Sequence, residues 1–241
     1  MTRIERTQDK RIYLAEEHYE TPKEFVKMIL QRVAAHGGIP PGATVCDFGC
    51  AEGALLYHLQ CQAPTASYTG YDVVPELVEK ARQRVAGASF RLGSVLGRGL
   101  RPEASVDLAF MSGVHSIFDE FETSLSNLLY WTRPGGRVYL FGIFNPFPVD
   151  VWVTYRLADD PDPDHREPGW NLFSKTSISR YLDQRLGRGR HTFLPFEMPF
   201  DLPPRPDDPA RNWTLRDQTG RRLLTNGLSL LLHLELLDIA R

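Results

Sequence analysis

The 241-residue sequence predicts an α/β fold: a doubly wound, mostly parallel sheet with helices on both faces. Three observations lead there. Between residues 44 and 143, short apolar strand-like runs alternate with helical patterns. The stretch TVCDFGCAEGALLYHL, residues 44–59, passes from strand to helix through a turn with two glycines. The composition is 42% hydrophobic, with 28 basic against 30 acidic residues, which suits one domain with a sizeable core.

The elements follow in order. Thr21-Pro22-Lys23-Glu24 has the form of a helix start, with Thr21 at the cap, Pro22 in the first turn and Glu24 three residues on. Phe25, Met28, Ile29 and Val33 continue at helical spacing, and Gly37-Gly38 ends the helix. Strands are expected at 44–48, 67–71, 89–92, 106–111 and 137–143, and helices at 54–61, 75–86 and 120–131. Pro134-Gly135-Gly136 is the turn before the fifth strand.

The last hundred residues have another texture. Residues 145–171 are rich in proline and aspartate and carry Trp152, Tyr155 and Trp170. A helix is expected at 177–186, a strand at 191–196, and a proline-rich excursion at 200–210. A hairpin around Gln218-Thr219-Gly220 spans 213–224, and a closing strand spans 228–239. The expected organisation is a single domain over 1–241, with an N-terminal segment at 1–20 and insertions at 145–173 and 199–226.

Composition excludes several roles. A net charge of −2 offers no basic face for nucleic acid or an anionic membrane, so neither partner is expected. The first twenty residues are charged and lack the apolar core of a signal peptide. The late apolar run at 228–237 contains Ser229, His233 and Glu235, and is too short to span a bilayer. The expectation is a soluble cytoplasmic protein. Three cysteines argue against a disulfide framework. Cys46, Cys50, His58 and Cys61 are formally four zinc ligands, but their stretch reads as strand, turn and helix, so no metal is expected.

The chemistry concentrates in Asp47-Phe48-Gly49-Cys50-Ala51-Glu52-Gly53. Doubly wound sheets bind ligands at the carboxyl ends of their strands, where this turn lies. Glycine there lets the backbone turn sharply against a ligand. A phosphate-binding loop needs Gly-Lys-Ser/Thr; this turn ends Gly53-Ala54-Leu55. Its acids suit an ammonium or sulfonium charge and hydroxyls. Asp72 ends the second strand, where a carboxylate can accept both ribose hydroxyls. That feature serves NAD and S-adenosylmethionine alike. Taken singly, Asp47 also reads as a helix cap, Asp72 as a turn residue before Pro75, and Gly49 and Gly53 as ordinary turn glycines.

Five stretches in order, VCDFGCAEG, TGYDVVPELVEKAR, FRLGSVL, VDLAFMSGVHSIFD and RPGGRVYLFG, resemble the class I (Rossmann-like) S-adenosylmethionine-dependent methyltransferases. The resemblance is good over residues 21–143. It implies a seven-stranded sheet whose last strand inserts antiparallel, with insertions after the fifth and sixth strands. The implied cofactor is S-adenosyl-L-methionine, leaving S-adenosyl-L-homocysteine. Position by position, Asp47, Gly49, Cys50 and Ala51 would hold the methionyl end, although Ala51 stands where a middle glycine is usual. Asp72 would bind the ribose and Val73 the adenine. Ser94, with Val95, stands where an aspartate often touches the adenine amino group, and keeps the hydrogen bond without the charge. Met111, Ser112 and Gly113 would lie beside the cofactor. His18 and Tyr19 stand in a segment that closes over the cofactor in relatives; the plainer alternative is an exposed tail.

His115 matches a histidine found after the fourth strand in small-molecule methyltransferases, and is the candidate base for a hydroxyl acceptor; in many relatives it only packs. Phe144, Asn145 and Trp170 are the candidate acceptor pocket, with packing onto the sheet as the alternative. The expected reaction is methyl transfer to a small molecule, at a hydroxyl before an amine. Methylation of RNA or protein is the alternative, although 111–114 lacks the Asn/Asp-Pro-Pro-Tyr/Phe motif of nucleic-acid amino-methylating enzymes. An inactive methyltransferase-like binding protein and an NAD-dependent dehydrogenase are further alternatives. The hairpin at 213–224 is a candidate for the acceptor wall or for a homodimer contact.

Overall fold

The structure, a computed structural model, describes Leu14 and residues 18–204, 211–227 and 234–241. Expectations for 1–13, 15–17, 205–210 and 228–233 lie outside the described residues.

The first strand, β1 (Thr44–Phe48), is buried at every position but Thr44. Alternate side chains enter different cores: Cys46 and Phe48 join one cluster and Val45 the other. That is the pattern of a strand covered on both faces. β1 lies between β2 (Ser67–Asp72) and β4 (Val106–Ser112), parallel to both. β3 (Ala88–Leu92) extends the sheet beyond β2, and β5 (Thr132–Asn145) follows β4, again in parallel. The last strand, β12 (Leu234–Ala240), inserts antiparallel between β5 and β9 (His191–Pro195). The path is β3-β2-β1-β4-β5-β12-β9, with the short β8 (Phe173–Ser174) paired to the end of β5.

The helices α1 (Glu24–Ala35), α2 (Ala54–Gln62), α3 (Pro75–Arg84), α4 (Glu122–Trp131) and α5 (Lys175–Leu186) surround the sheet. α1 starts later than its sequence suggests. Lys23, not Thr21, holds the cap position, and no side chain caps it. Before α4, Glu120 accepts a bond from the Thr123 amide at 2.8 Å, so the acid does serve the helix start. β5 takes in the Pro134-Gly135-Gly136 turn rather than starting after it. Gly136 runs so close to Asp107 that a Cβ would sit 2.7 Å from its carbonyl oxygen.

The segment after β5 is fastened to the loop after β4. The Asn171 amide donates to the Ser116 carbonyl at 2.8 Å, and its side chain donates to the Phe118 carbonyl at 2.8 Å. Its side-chain oxygen accepts from the Val153 amide at 3.0 Å. Two short strands, β6 (Thr154–Tyr155) and β7 (Glu167–Pro168), pair within this segment. The expected late hairpin forms as β10 (Trp213–Arg216) and β11 (Arg222–Thr225). Among the described residues, no helix is long and apolar enough to cross a membrane.

Candidate functional site

At the end of β1 the chain turns back on itself. The amides of Gly49 and Cys50 both donate to the Tyr71 carbonyl of β2, at 2.7 and 3.0 Å. Gly49 takes φ +84°, and a Cβ on it would meet Val114 Cγ2 at 2.3 Å. Only glycine satisfies both the angle and the space. Ala51 also lies in the left-handed region, at φ +45°, a strained conformation for a residue with a Cβ. Its amide donates to Asp72 Oδ2 at 2.9 Å, which holds the strained residue in place. Asp72 Oδ1 accepts from the Val74 amide at 3.0 Å. The Asp72 carboxylate therefore ties the turn after β1 to the turn after β2.

Three carboxylates are buried here: Asp47, Glu52 and Asp72. Burial raises the Asp47 carboxyl to about 8, and the charges of Asp72 and Glu52 push the same way. Asp47 Oδ1 is buried with no hydrogen-bond partner. Burial also raises Asp72, while amide bonds from Val74, Ala51 and Val73 oppose the rise. Tyr19 OH donates to the Glu52 carbonyl at 2.5 Å, and its ring meets Tyr57 edge-on at 5.4 Å. His58 Nε2 lies 2.7 Å from the His18 carbonyl.

The three carboxylates and the turn after β1 line a cavity of about 220 Å³. Of the residues singled out from sequence, Asp47, Gly49, Cys50, Ala51, Asp72, Val73, Ser94, Val95 and Ser112 line it. The Ser112 hydroxyl is a second buried polar atom without a partner. A ligand with cationic and hydroxyl groups would satisfy such a lining, and the backbone at Gly49 and Ala51 leaves room for its approach.

Gly113 and His18 line the cavity as well, whereas Met111, Tyr19, Phe144, Asn145, Trp170 and His115 are not brought to it. Met111 is wholly buried in the core. Tyr19 packs on Tyr57, although its neighbour His18 does line the cavity. Phe144 is fully buried. Asn145 turns the chain after β5, donating to the Val149 carbonyl at 2.7 Å and accepting from the Phe147 amide at 3.1 Å. Trp170 packs in a small cluster with Ile143 and Leu224.

His115 needs the fullest correction. Its ring stacks on Phe144, with centroids 4.7 Å apart and planes at 17°. Nε2 lies 2.9 Å from the Ile143 carbonyl, so it carries the proton and donates. Nδ1 is buried without a partner. Burial lowers the imidazole to about 4, against a smaller upward pull from the Ile143 bond. The ring fills the space beside Gly142, where a Cβ would lie 2.1 Å from His115 Cε1. A glycine inside a strand often marks such a close approach, and Gly142 was the signal available in the sequence.

Sequence reasoning did not single out Glu52, Lys23, Phe25, Ile117 and Phe118, all of which line the cavity. Glu52 was visible as an acid inside the turn. The others come from α1 and the loop after β4, whose distance from β1 only the fold sets. As for the formal zinc set, Cys46 is buried in β1 and Cys61 is exposed on α2.

A family model described as "Methyltransferase domain" matches residues 46–138. The arsenite methyltransferase of Halobacterium salinarum is 31% identical over 136 residues, which is 53% of this chain and 33% of that protein. The malonyl-[acyl-carrier protein] O-methyltransferase of Serratia marcescens is 29% identical over 120 residues, 50% of this chain and 46% of that protein. The chain thus spans less than half the length of these relatives. The Burkholderia thailandensis 1,6-didemethyltoxoflavin-N1-methyltransferase, solved with 1,6-didemethyltoxoflavin and S-adenosylhomocysteine, aligns with a TM-score of 0.54 at 18% identity. That alignment covers 97% of this chain and 83% of the other, and shows a shared fold.

Proposed function

We propose that this chain is a class I (Rossmann-like) S-adenosylmethionine-dependent methyltransferase that methylates a small organic acceptor at an oxygen, a reading supported by the methyltransferase-domain match over residues 46–138. The observation that carries the reading is the cavity at the end of β1. There, Asp47, which has a buried carboxylate oxygen without a partner, lines the cavity together with the left-handed turn and Asp72.

The residues fit S-adenosylmethionine. Asp47 and Glu52 would take its amino-acid end, and Asp72 its ribose hydroxyls. Val73, Ser94 and Val95 would take the adenine. When bound, this cofactor supplies a methyl group on a positively charged sulfur. The chain's own part is to orient the acceptor and keep water out, and alignment alone is worth several kcal/mol, up to roughly 7–11 in favourable cases. Phe25, Ile117 and Phe118 give the rest of the cavity an apolar wall, suited to an organic acceptor of modest size. A Serratia relative named as an O-methyltransferase supports oxygen as the accepting atom.

The insertion at 145–173 supports this wall from behind. Through Asn171 it holds the carbonyls of Ser116 and Phe118, so it fixes the loop that carries Ile117 and Phe118.

Thermal unfolding tests the reading. S-adenosylhomocysteine should raise the melting midpoint, since a ligand bound only to the folded state stabilises it, while NAD should not. A rise with NAD and none with S-adenosylhomocysteine would overturn it.

A further inference from the structure

Half of the large apolar side chains left exposed among the described residues fall within 147–157: Phe147, Val149, Val151, Trp152 and Leu157. Phe147 is 70% exposed and Trp152 58%. A face of this kind marks an interaction site rather than ordinary surface. It is also built. Asn145 pins the turn by its bonds to the Val149 carbonyl and the Phe147 amide. Asp150, the one charged side chain between 145 and 155, turns towards α5. Its carboxylate accepts from the Ser174 amide and from the Ser177 hydroxyl. In extended chain successive side chains point to opposite sides, so Val149 and Val151 face out. Resting on the methyltransferase reading above, we propose that the acceptor is an amphiphile, with its reacting head at the cavity and a hydrocarbon chain lying along Trp152, Val151, Val149 and Phe147.

Three observations favour a lipid-like acceptor over another occupant. First, the face starts where the cavity wall ends. Ile117 and Phe118 line the cavity. The next residue, Asp119, is exposed, and its carbonyl accepts from Trp152 Nε1 at 2.9 Å. Asn171 ties the same loop to the residue beside Trp152, bonding the Phe118 carbonyl and the Val153 amide. Second, the cavity is small. Its volume of about 220 Å³ lies under the roughly 300–1,000 Å³ that encloses a whole ligand of drug size, and the cofactor shares it. A larger acceptor extends past the rim. Third, the face offers no charge, since Asp150 is engaged with Ser174 and Ser177. That suits methylenes, whereas a protein partner brings a polar rim that finds no counterpart between 145 and 155. Full burial of a methylene is worth about fourfold in affinity, and a shelf that covers one side of it about twofold.

The experiment uses S-adenosylmethionine tritiated in its methyl group, the full chain and a deproteinised cell extract that keeps both lipids and water-soluble metabolites. Calorimetry with S-adenosylhomocysteine comes first: no binding would overturn the methyltransferase reading itself. Labelled product is then partitioned between chloroform and water. Label in the chloroform is expected. Label confined to the water would overturn the inference while leaving the methyltransferase reading intact. Label on no product, despite cofactor binding, would overturn both.

Phe147→Ser combined with Val149→Ser tests the face, because the bonds that hold its turn use only the main-chain atoms of these two residues. Transfer at limiting acceptor should fall by roughly 10–100-fold, the effect of uncovering about half of a phenylalanine and half of a valine. S-adenosylhomocysteine affinity and melting midpoint should stay at wild-type values. Phe147→Leu combined with Val149→Ile should keep most of the transfer. Full transfer by the serine variant, or a loss of cofactor affinity in step with transfer, would remove the face from acceptor recognition. Two further measurements address rival occupants. The wild type should stay in solution when phosphatidylcholine vesicles are spun down, and its mass by light scattering should equal that of the serine variant. Vesicle binding lost in the serine variant would assign the face to a membrane. A wild-type dimer that becomes a monomer in the serine variant would assign it to a second copy. Either result would overturn the proposal.

Discussion

The ends of β1 and β4 lie side by side in the sheet, with Asp47 opposite Phe110 in register. Each strand is followed by a glycine of positive φ, Gly49 at +84° and Gly113 at +72°. Each delivers a buried titratable side chain, Asp47 or His115, with one polar atom unpartnered. Burial pushes both toward neutrality, the carboxyl up to about 8 and the imidazole down to about 4. Yet Asp47 lines the cavity and His115 does not. The difference lies in what surrounds them. His115 has an aromatic partner in Phe144, a carbonyl acceptor in Ile143 and a niche made by Gly142. Asp47 has two other carboxylates as neighbours, an arrangement that costs stability until a cation arrives. Burial and a shifted pKa are common to a packing residue and a binding residue; access to a cavity separates them.

The largest effect that tests this contrast is on folding. His115→Ala removes a stacked ring and the donor to the Ile143 carbonyl, and should cost about 2–4 kcal/mol of stability. Affinity for S-adenosylhomocysteine should change less than twofold. The wild type should also lose stability as pH falls from about 6.5 towards 4. Over that range the unfolded imidazole takes a proton that the folded one refuses. In the alanine variant that component should vanish. Chemical denaturation at several pH values reads both effects; unchanged stability with lost cofactor affinity would return His115 to the site.

Asp72 sits between the two cases, because it both ties the turn and faces the cavity. Asn at this position keeps one acceptor and presents an NH₂ to an amide that needs an acceptor, that of Ala51 or Val74. Cofactor affinity should weaken by roughly 1.5–3 kcal/mol, the range for hydrogen bonds to a charged group. Stability should fall as well, since the left-handed Ala51 loses its restraint. Calorimetry and denaturation on one sample separate the roles: lower stability with intact affinity would leave Asp72 as a brace alone.

These residues also mark what sequence can and cannot deliver. From β1 to β5 the chain alternates strand and helix with turn glycines between, and each element spends its side chains on its own period. The strand ends, and with them Asp47 and Asp72, could be placed from that pattern. His115 could not, because its neighbours Gly142, Ile143 and Phe144 come from another strand. Lys23, Phe25 and Phe118 escaped notice for the same reason. After residue 145 the pattern thins: Trp170 reads as a pocket aromatic in sequence, and only the packing of Ile143 and Leu224 against it shows a satellite core.

The smallest effect is the most specific to Asp47. With its carboxyl near 8, the free protein holds the Asp47 proton at pH 6 to 7, whereas the unfolded chain releases it near 3.8. Stability from this group is therefore fully present below about pH 3.8 and is lost progressively as pH rises to about 8. That is opposite in sign to the His115 effect. A ligand ammonium reverses the balance by favouring the charged carboxylate, so binding should expel the proton. Below about pH 8, affinity for S-adenosylhomocysteine should rise with pH by up to about tenfold per unit, or 1.36 kcal/mol. Calorimetry at pH 6.5 in two buffers of different ionisation enthalpy should count nearly one proton released. At pH 9 the count should approach zero. Asp47→Asn preserves the shape and cannot ionise, so its affinity should be flat with pH and its proton count nil at both values. It should bind about as well as the wild type at low pH and worse at high pH, and be the more stable of the two towards pH 8. A proton count of zero for the wild type at pH 6.5 would mean that Asp47 does not meet the ligand's charge, and the contrast between the two strand ends would then rest on Glu52 instead.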